Sequence, residues 1–231
     1  MGENMGAMSM YHELMNIYYR MYEHFGPRHW WPADTPFEVV VGAILTQGVA
    51  WRNVEQAIRN LKQAGLLDLA AIARASHDEL AVLIRPARYY NMKAKKLQAF
   101  CRYVMDNYGG SLERFFARDL WPLREELLGI YGIGQETADS ILLYAAEKPI
   151  FVVDAYTKRI FSRLGMVDAD IQYHQLQRFF MDHIPPDVEL YNEYHAQIDA
   201  VGNRYCAAKR PSCGECPLRP LCAFSKGLTN A

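Results

Sequence analysis

The stretch LLGIYGIGQETADSILLY (Leu127–Tyr144) is the most informative segment of this sequence. It predicts one helix that ends at Leu128 and a second that begins at about Gln135, joined by a tight turn with three glycines: Gly129, Gly132 and Gly134. Glycine permits positive φ, and the N–H groups at the start of the second helix would be left uncovered. Such groups attract a phosphate through hydrogen bonds and the helix dipole. We therefore expect a phosphate-holding hairpin, with an ordinary turn between helices as the alternative.

Composition places the chain among globular proteins. It has 231 residues, of which 51% are hydrophobic and 22% charged, enough for one large domain or two small ones that share a core. The net charge of -1 gives by itself no indication of nucleic-acid binding. No apolar run approaches the roughly 18 residues of a membrane span, and the N-terminus lacks the basic start of a secretory signal. We expect a cytoplasmic protein with no membrane partner, associated with the nucleoid if its source is a prokaryote.

Helical periodicity recurs along most of the chain and predicts an all-α fold of about ten helices. Thr35 is a plausible N-cap for the apolar helix that follows it. The β-branched run PIFVVDAYTKRI, residues 149–160, fits a short lead into another helix, with Gly165 as its stop. Outside these segments the predicted helices are Tyr11–Phe25, Phe37–Gln47, Trp51–Gly65, Leu67–Ala75, Asp78–Ile84, Ala94–Asn107, Leu120–Leu128, Ile171–Ile184 and Val188–Tyr205.

Four of the five cysteines lie close together near the C-terminus with the spacing C-x6-C-x2-C-x5-C: Cys206, Cys213, Cys216 and Cys222. In a reducing cytosol, clustered cysteines favour metal ligation over disulfides. A structural zinc site is one reading, although gaps of six and five residues exceed the usual zinc-knuckle spacing.

The C-terminal segment is basic. From residue 203 onward there are five basic residues against one acidic. The loop AAKRPS presents two of them, Lys209 and Arg210, which are candidate contacts for the phosphates of a nucleic acid.

Several segments together resemble the helix-hairpin-helix DNA glycosylases of the endonuclease III type. They are GIYGIGQETA, FVVDAYTKRI with its Asp154 18 residues after Glu136, GAILTQGVAW, IRPARYYNMKAKKL and the four-cysteine tail. The resemblance covers the chain from about Trp30 to Cys222. It implies a monomer that acts on double-stranded DNA containing a damaged base, and a [4Fe–4S] cluster held by the four cysteines.

The resemblance also implies two helical domains with the active-site cleft between them. Residues 33–148 would form a six-helix barrel that contains the helix-hairpin-helix motif at 127–144. Residues 149–231 would form the iron–sulfur cluster domain, with the cluster at 206–222. Residues 1–32 would be an N-terminal helix and loop that pack with the cluster domain.

Asp154 is the catalytic carboxylate that the resemblance implies. Cleavage of an N-glycosidic bond builds positive charge on the sugar, which a fixed carboxylate in a low-dielectric pocket stabilises. The same carboxylate could orient an attacking water. From the residues alone, Asp154 is also a good N-cap for the helix that starts with AYTKRIF.

Glu136 stands where bifunctional members of the family carry the lysine that attacks the sugar. A carboxylate cannot form the imine through which those enzymes cut the DNA strand. The sequence therefore predicts a monofunctional glycosylase without lyase activity.

Base recognition is assigned to two further groups of residues. By alignment with the family, Gln47 would fill the gap left by the flipped base and Tyr89 would be a wedge opposite it, with Gly132 and Gly134 on the DNA backbone. The WWP motif at residues 30–32, followed by LTQ and by Trp51 four residues later, resembles the 3-methyladenine branch of these glycosylases. Aromatic faces attract cationic alkylated purines. This predicts a base pocket lined by Trp30, Trp31, Trp51 and Glu136.

Other functions remain open at this stage. The lesion could instead be an oxidised pyrimidine, or thymine or uracil in a mismatch. A non-catalytic iron–sulfur DNA-binding protein would use the same hairpin and cysteines, but it would not need Asp154.

Overall fold

The computed structural model describes residues 2–229 of the chain, and the side chains of residues 9–227. Residues 2–229 form helices and loops with no strand, which confirms the predicted all-α fold. Two single-turn 3-10 helices lie at Arg85–Ala87 and Cys213–Glu215. The α-helices are α1 (Gly2–Phe25), α2 (Pro36–Leu45), α3 (Trp51–Gln63), α4 (Leu69–Arg74), α5 (His77–Leu83), α6 (Tyr90–Tyr108), α7 (Leu112–Phe116), α8 (Leu120–Gly129), α9 (Gln135–Tyr144), α10 (Ala155–Leu164), α11 (Tyr173–Met181), α12 (Val188–Arg204) and α13 (Ala223–Thr229).

Two of these helices, α7 and α13, were not predicted, so the described part of the chain has thirteen α-helices instead of about ten. Both are too short for a hydrophobic period to be visible in the sequence. Helix α7 forms because Ser111 caps it and Phe115 is completely buried. Helix α13 forms against α10, far away in sequence.

Helix α6 begins four residues earlier than predicted, at Tyr90. Its first turns contain Lys93, which is 2% exposed. The Lys93 ammonium donates to the carbonyls of Leu45, at 2.8 Å, and Ala87, at 2.7 Å. Burial and the nearby Lys96 charge lower the pKa of Lys93 to about 8. The lysine thus fastens the ends of two helical segments to α6, a role that local periodicity does not reveal.

The chain divides into two compact units. The hairpin unit is Trp31–Lys148 and contains α2 to α9. The terminal unit joins the residues before Trp31 to those from Pro149 onward, so it contains α1 and α10 to α13.

The core of the hairpin unit is built around α2. Thr35 caps this helix, as predicted, by accepting a 3.2 Å hydrogen bond from the Glu38 backbone N–H. All but the first residue of the helix are buried, and it packs against α3, α6 and α9. A helix that is apolar on every face must lie in a core, which is why this one has protein neighbours on several sides.

The terminal unit encloses an aromatic core. The rings of Phe151 and Phe180 stack with centroids 4.0 Å apart, and Tyr191 and Tyr194 meet Phe151 edge-on. The Tyr194 hydroxyl donates to the Leu14 carbonyl at 2.8 Å, so α1 is part of this core. Residues 150–153 are buried and outside any helix, ahead of α10, and Gly165 caps the end of α10 with a φ of 84°. Among the described residues, no helix is long and apolar enough to cross a membrane.

Candidate active site

The predicted hairpin is present, as the last part of α8, a turn and α9. Only one of its three glycines needs positive φ. Gly132 has a φ of 81°, and a β-carbon there would lie 2.4 Å from Lys96 Cγ. Gly129 is the last residue of α8, and Gly134 is extended with a φ of -93°. Gly134 and the first two residues of α9 are exposed, so the positive end of that helix is accessible to an anion.

A buried ion pair holds the two hairpin helices together. Arg124 of α8 donates from Nε to Asp139 Oδ1 at 2.7 Å and from Nη2 to Oδ2 at 3.1 Å. The Asp139 side chain is completely buried and that of Arg124 is 11% exposed. The sequence analysis missed this pair. The available signal was an aspartate inside the otherwise apolar run ADSILLY.

Gln47 lies against the hairpin turn. Its Nε2 donates to the Gly132 carbonyl at 3.3 Å and to Thr137 Oγ1 at 2.9 Å. Its Oε1 accepts a hydrogen bond from Lys96, whose pKa is lowered by burial. The proposed insertion of Gln47 into DNA would require these bonds to be released.

Tyr89 projects into solvent from a strained backbone. Its side chain is 73% exposed, and both Arg88 and Tyr89 have positive φ, 54° and 42°. Residues with side chains rarely adopt this conformation, and where they do the surrounding structure must hold them. An exposed aromatic ring on such a loop is suited to contact a ligand.

Three aromatic rings cluster in the hairpin unit. Trp31 meets Trp51 edge-on, with centroids 5.2 Å apart, and lies 5.2 Å from Tyr144 at 54°. Gly42 allows the close approach, because a β-carbon there would lie 3.0 Å from two atoms of the Trp31 indole. Both tryptophans keep part of their surface exposed. We define Trp31, Trp51 and Tyr144 as the aromatic cluster; the sequence analysis did not include Tyr144.

The two remaining predicted pocket residues lie elsewhere in the chain. Trp30 is half-buried and is the last residue of the first segment of the terminal unit. Glu136 is exposed in the first turn of α9, and its backbone carbonyl accepts from the Ser140 hydroxyl at 2.7 Å.

Asp154 caps α10, as the residues alone suggested. Its Oδ1 accepts from both the backbone N–H and the hydroxyl of Thr157, each at 2.7 Å. The other oxygen, Oδ2, lies 3.9 Å from Nε2 of His195, on α12. The Asp154 side chain is 14% exposed. One carboxylate oxygen therefore serves the helix cap while the other is directed elsewhere.

The sequence analysis assigned no role to His195. Its imidazole is 12% exposed and lies beside Asp154. One turn further along α12, Asp199 has a raised pKa, caused first by burial and then by the charge of Asp154, and opposed by His195. Because α12 and α10 are distant in sequence, no local pattern could show this.

The four clustered cysteines line one cavity of about 30 Å³. Burial and the neighbouring cysteines raise the pKa of Cys213 and of Cys216. Among the described residues the thiols do not converge to form a preformed metal site. The four cysteines thus share one cavity, which is where this part of the chain could hold a metal group.

Two arginines of α10 fix the loop after Cys206, and the sequence analysis missed both. Arg159 Nε donates to the Cys206 carbonyl at 2.7 Å. Arg163 donates to the sulfur of Cys206 at 3.2 Å and to the carbonyls of Ala207 and Ala208 at 2.9 Å. The next two residues of the loop, Lys209 and Arg210, are exposed.

Comparison with known proteins identifies the family. Residues 41–186, more than half of the chain, match the profile of the HhH-GPD superfamily of base excision DNA repair proteins. The chain belongs to this superfamily of DNA glycosylases, which confirms the family predicted from its hairpin and the sequence around it.

Particular relatives agree with this assignment. A protein of Methanocaldococcus jannaschii assigned as a DNA repair glycosylase is 46% identical over 210 residues, 90% of this chain and 95% of the relative. An endonuclease III of Synechocystis is 32% identical over 192 residues, 82% of this chain and 81% of the relative. The solved structure of H. pylori 3-methyladenine DNA glycosylase (MagIII) bound to 1,N6-ethenoadenine superposes with a TM-score of 0.72. It is 29% identical and covers 85% of this chain and 97% of its own.

Proposed function

We propose that this chain is a monofunctional DNA glycosylase that removes an alkylated purine, with 3-methyladenine favoured, from double-stranded DNA. The proposal rests on the different contacts that the two oxygens of the Asp154 carboxylate make. Oδ1 is used by the helix cap, which fixes the side chain, while Oδ2 is not part of the cap. A carboxylate held in this way is available to a substrate without loss of the helix start.

The reaction breaks the bond between the sugar C1′ and the base nitrogen, and the base leaves with the bonding electrons. Positive charge then develops on the sugar, and Oδ2 of Asp154 stabilises it. A water molecule adds its oxygen to C1′ and gives up a proton, which completes the hydrolysis. Asp154 also orients this water by accepting a hydrogen bond from it. An alkylated purine carries a positive charge and is a good leaving group, so this mechanism needs no strong general acid.

The absence of lyase activity is proposed from Glu136. A bifunctional glycosylase needs an amine that forms an imine with the sugar, and this chain has a carboxylate at the position in question. Glu136 is exposed in the first turn of α9, so no buried partner is needed to explain its charge there.

Borohydride trapping tests this point. The unaltered chain, mixed with lesion-containing duplex and borohydride, is expected to give no covalent protein–DNA adduct, although it releases the base. Strand cleavage should appear only after alkaline treatment. The positive control is the Glu136→Lys variant, which places an amine at this position and is expected to give some adduct. A trapped adduct from the unaltered chain would show that another amine, and so a lyase step, is present.

The aromatic cluster supports an alkylated purine as the substrate. Trp31, Trp51 and Tyr144 provide ring surface at one place in the hairpin unit, and Gly42 leaves room for the indole. Cation–π attraction favours a positively charged base over the neutral one. The likeness to a solved 3-methyladenine glycosylase structure, at 29% identity, also supports an alkylated purine as the substrate. That Trp30 and Glu136 belong to the base pocket stays a prediction from the sequence.

Replacing Trp51 with alanine tests the pocket. Loss of one stacking ring is expected to slow release of 3-methyladenine from methylated duplex DNA by about 5- to 150-fold, the range that corresponds to 1–3 kcal/mol of stacking. Trp121→Ala is the control, because Trp121 is 54% exposed at the start of α8. A panel of duplexes with one lesion each, scored for base release, identifies the preferred base. Unchanged 3-methyladenine release by Trp51→Ala would overturn the pocket assignment, and preference for a pyrimidine or a mismatch would overturn the substrate.

DNA binding is proposed for surfaces in both units. The accessible start of α9, with Gly132 and Gly134, would bind one phosphate. Lys209 and Arg210 are exposed on a loop that Arg159 and Arg163 hold, so they would contact the backbone at little cost in entropy. Gln47 and Tyr89 would act on the helix stack where the base is flipped out.

We also propose that Cys206, Cys213, Cys216 and Cys222 hold a [4Fe–4S] cluster. The four cysteines line one cavity, and the gaps of six and five residues between them exceed the usual zinc-knuckle spacing. The cluster would neutralise the thiolates and fasten the C-terminal loops, because metal binding energy is folding energy in such segments.

Purified protein should therefore be brown, with absorbance near about 400 nm and about four irons per chain. The Cys216→Ser variant is expected to lose this absorbance and to unfold at a lower temperature. Cys101→Ser is the matched control, since Cys101 is buried in α6 in the other unit. Stoichiometric zinc without visible absorbance would replace the cluster with a structural zinc site.

A further inference from the structure

A row of polar side chains connects Asp154 to α12. His195, Asp199 and Asn203 are spaced four residues apart on this helix, so they lie along one face. Asn203 Nδ2 donates to Asp199 Oδ2 at 2.8 Å, and its Oδ1 accepts from the Tyr156 hydroxyl at 2.8 Å. Tyr156 lies two residues after Asp154, in the first turn of α10. The row therefore ends on the helix that Asp154 caps.

The packing of the two helices fixes this row. Gly202 of α12 lies under the Tyr156 ring, and a β-carbon there would be 2.3 Å from Tyr156 Cδ1. The helices therefore approach more closely than a larger residue would allow. Because the contact is tight, His195 and Asp154 cannot move apart without repacking of α10 against α12.

The charged groups of this row, Asp154, Asp199 and His195, together carry a net negative charge. His195 lies 3.9 Å from Asp154, and Asp199 interacts electrostatically with both. Arg28, after α1, and Tyr156 also interact electrostatically with this group of residues. A protonated imidazole leaves one net negative charge on the two carboxylates and the histidine, whereas a neutral imidazole leaves two.

We propose that His195 is a positioning residue that controls the negative charge available at Asp154, so that base excision accelerates when the imidazole loses its proton. The inference rests on the proposed role of Asp154. A positive charge 3.9 Å from the carboxylate offsets the field that stabilises the positive sugar. Once the proton leaves, the full charge of Asp154 acts on the transition state.

The test is the single-turnover rate of base release, measured between about pH 5.5 and 8.5. The unaltered chain is expected to accelerate by about tenfold across this interval. His195→Gln should lose most of this rise, with DNA affinity and unfolding temperature unchanged. His174→Gln is the matched control, because His174 is exposed on α11, and it should keep the rise.

A second variant keeps the test decisive if His195→Gln folds poorly. Asp199→Asn removes one of the anions that favour the imidazolium, so the rise should move to lower pH. A wild-type pH profile in both His195→Gln and Asp199→Asn would overturn the inference. If Asp154→Asn itself keeps the wild-type rate, the proposed catalytic role fails instead, so the two failures are distinguishable.

Discussion

Asp154→Asn is expected to lower the rate of base release by about 10²- to 10⁴-fold, the range typical of a catalytic carboxylate. Asparagine is as good an N-cap as aspartate. Its side-chain oxygen can still accept from the Thr157 backbone N–H, the bond that Asp154 Oδ1 accepts at 2.7 Å. The substitution therefore removes the charge on the carboxylate while it keeps the start of α10. A slower reaction with unchanged folding would assign the effect to that charge.

The control for this variant is another capping aspartate of the same unit. Asp187 is exposed and accepts a 2.8 Å hydrogen bond from the Leu190 backbone N–H at the start of α12. Asp187→Asn should leave base release and DNA affinity unchanged. Thermal unfolding and binding to lesion-containing duplex are measured for both variants. If Asp154→Asn releases the base at the wild-type rate, Asp154 is not the catalytic carboxylate, whereas a lack of base release by the unaltered chain would support a non-catalytic DNA-binding protein.

Asp139→Ala is expected to reduce the free energy of unfolding by about 3–5 kcal/mol, the usual cost of removing one partner from a buried ion pair. Arg124 would keep its charge in a site where its side chain is 11% exposed, without the two bonds it makes to Asp139. Because this pair joins α8 to α9, the hairpin should loosen first. Urea unfolding of the full chain measures the change, and DNA affinity should fall with it.

A surface ion pair of the same unit provides the comparison. Lys62 bonds Asp34 at 2.7 Å, and the side chains are 38% and 81% exposed. Asp34→Ala should cost at most about 1 kcal/mol, because exposed pairs contribute little. Replacing Arg124 and Asp139 together with apolar residues should cost less than Asp139→Ala, since no charge is then left buried. A loss below about 1 kcal/mol for Asp139→Ala would show that the hairpin does not depend on this pair.

Much of the fold could be predicted because its signals are local. The hairpin, the Thr35 cap and the stop at Gly165 each depend on a few neighbouring residues, and all three are present. Asp154 as a helix cap belongs to the same class. Helices α7 and α13 were missed because their few residues show no period and are held by contacts from elsewhere.

The surroundings of the candidate site could not be predicted in the same way. Tyr144 joins the aromatic cluster only because α9 ends near Trp31. The sequence did not show that Gln47 lies against the hairpin turn, bonded to Gly132 and Thr137. In both cases the partner is distant in sequence, so no local spacing indicates the contact.

The order of residues alone determined the superfamily, the hairpin and the grouping of four cysteines, since each follows from short-range spacing and residue type. Only the packing of the helices decided which side chains surround them. It placed His195 beside Asp154, Arg163 on the sulfur of Cys206, 43 residues away, and Arg124 on Asp139. The physical reason is that a charge or a hydrogen-bonding group selects its partner by distance in space. That distance is set by how helices far apart in the chain pack together.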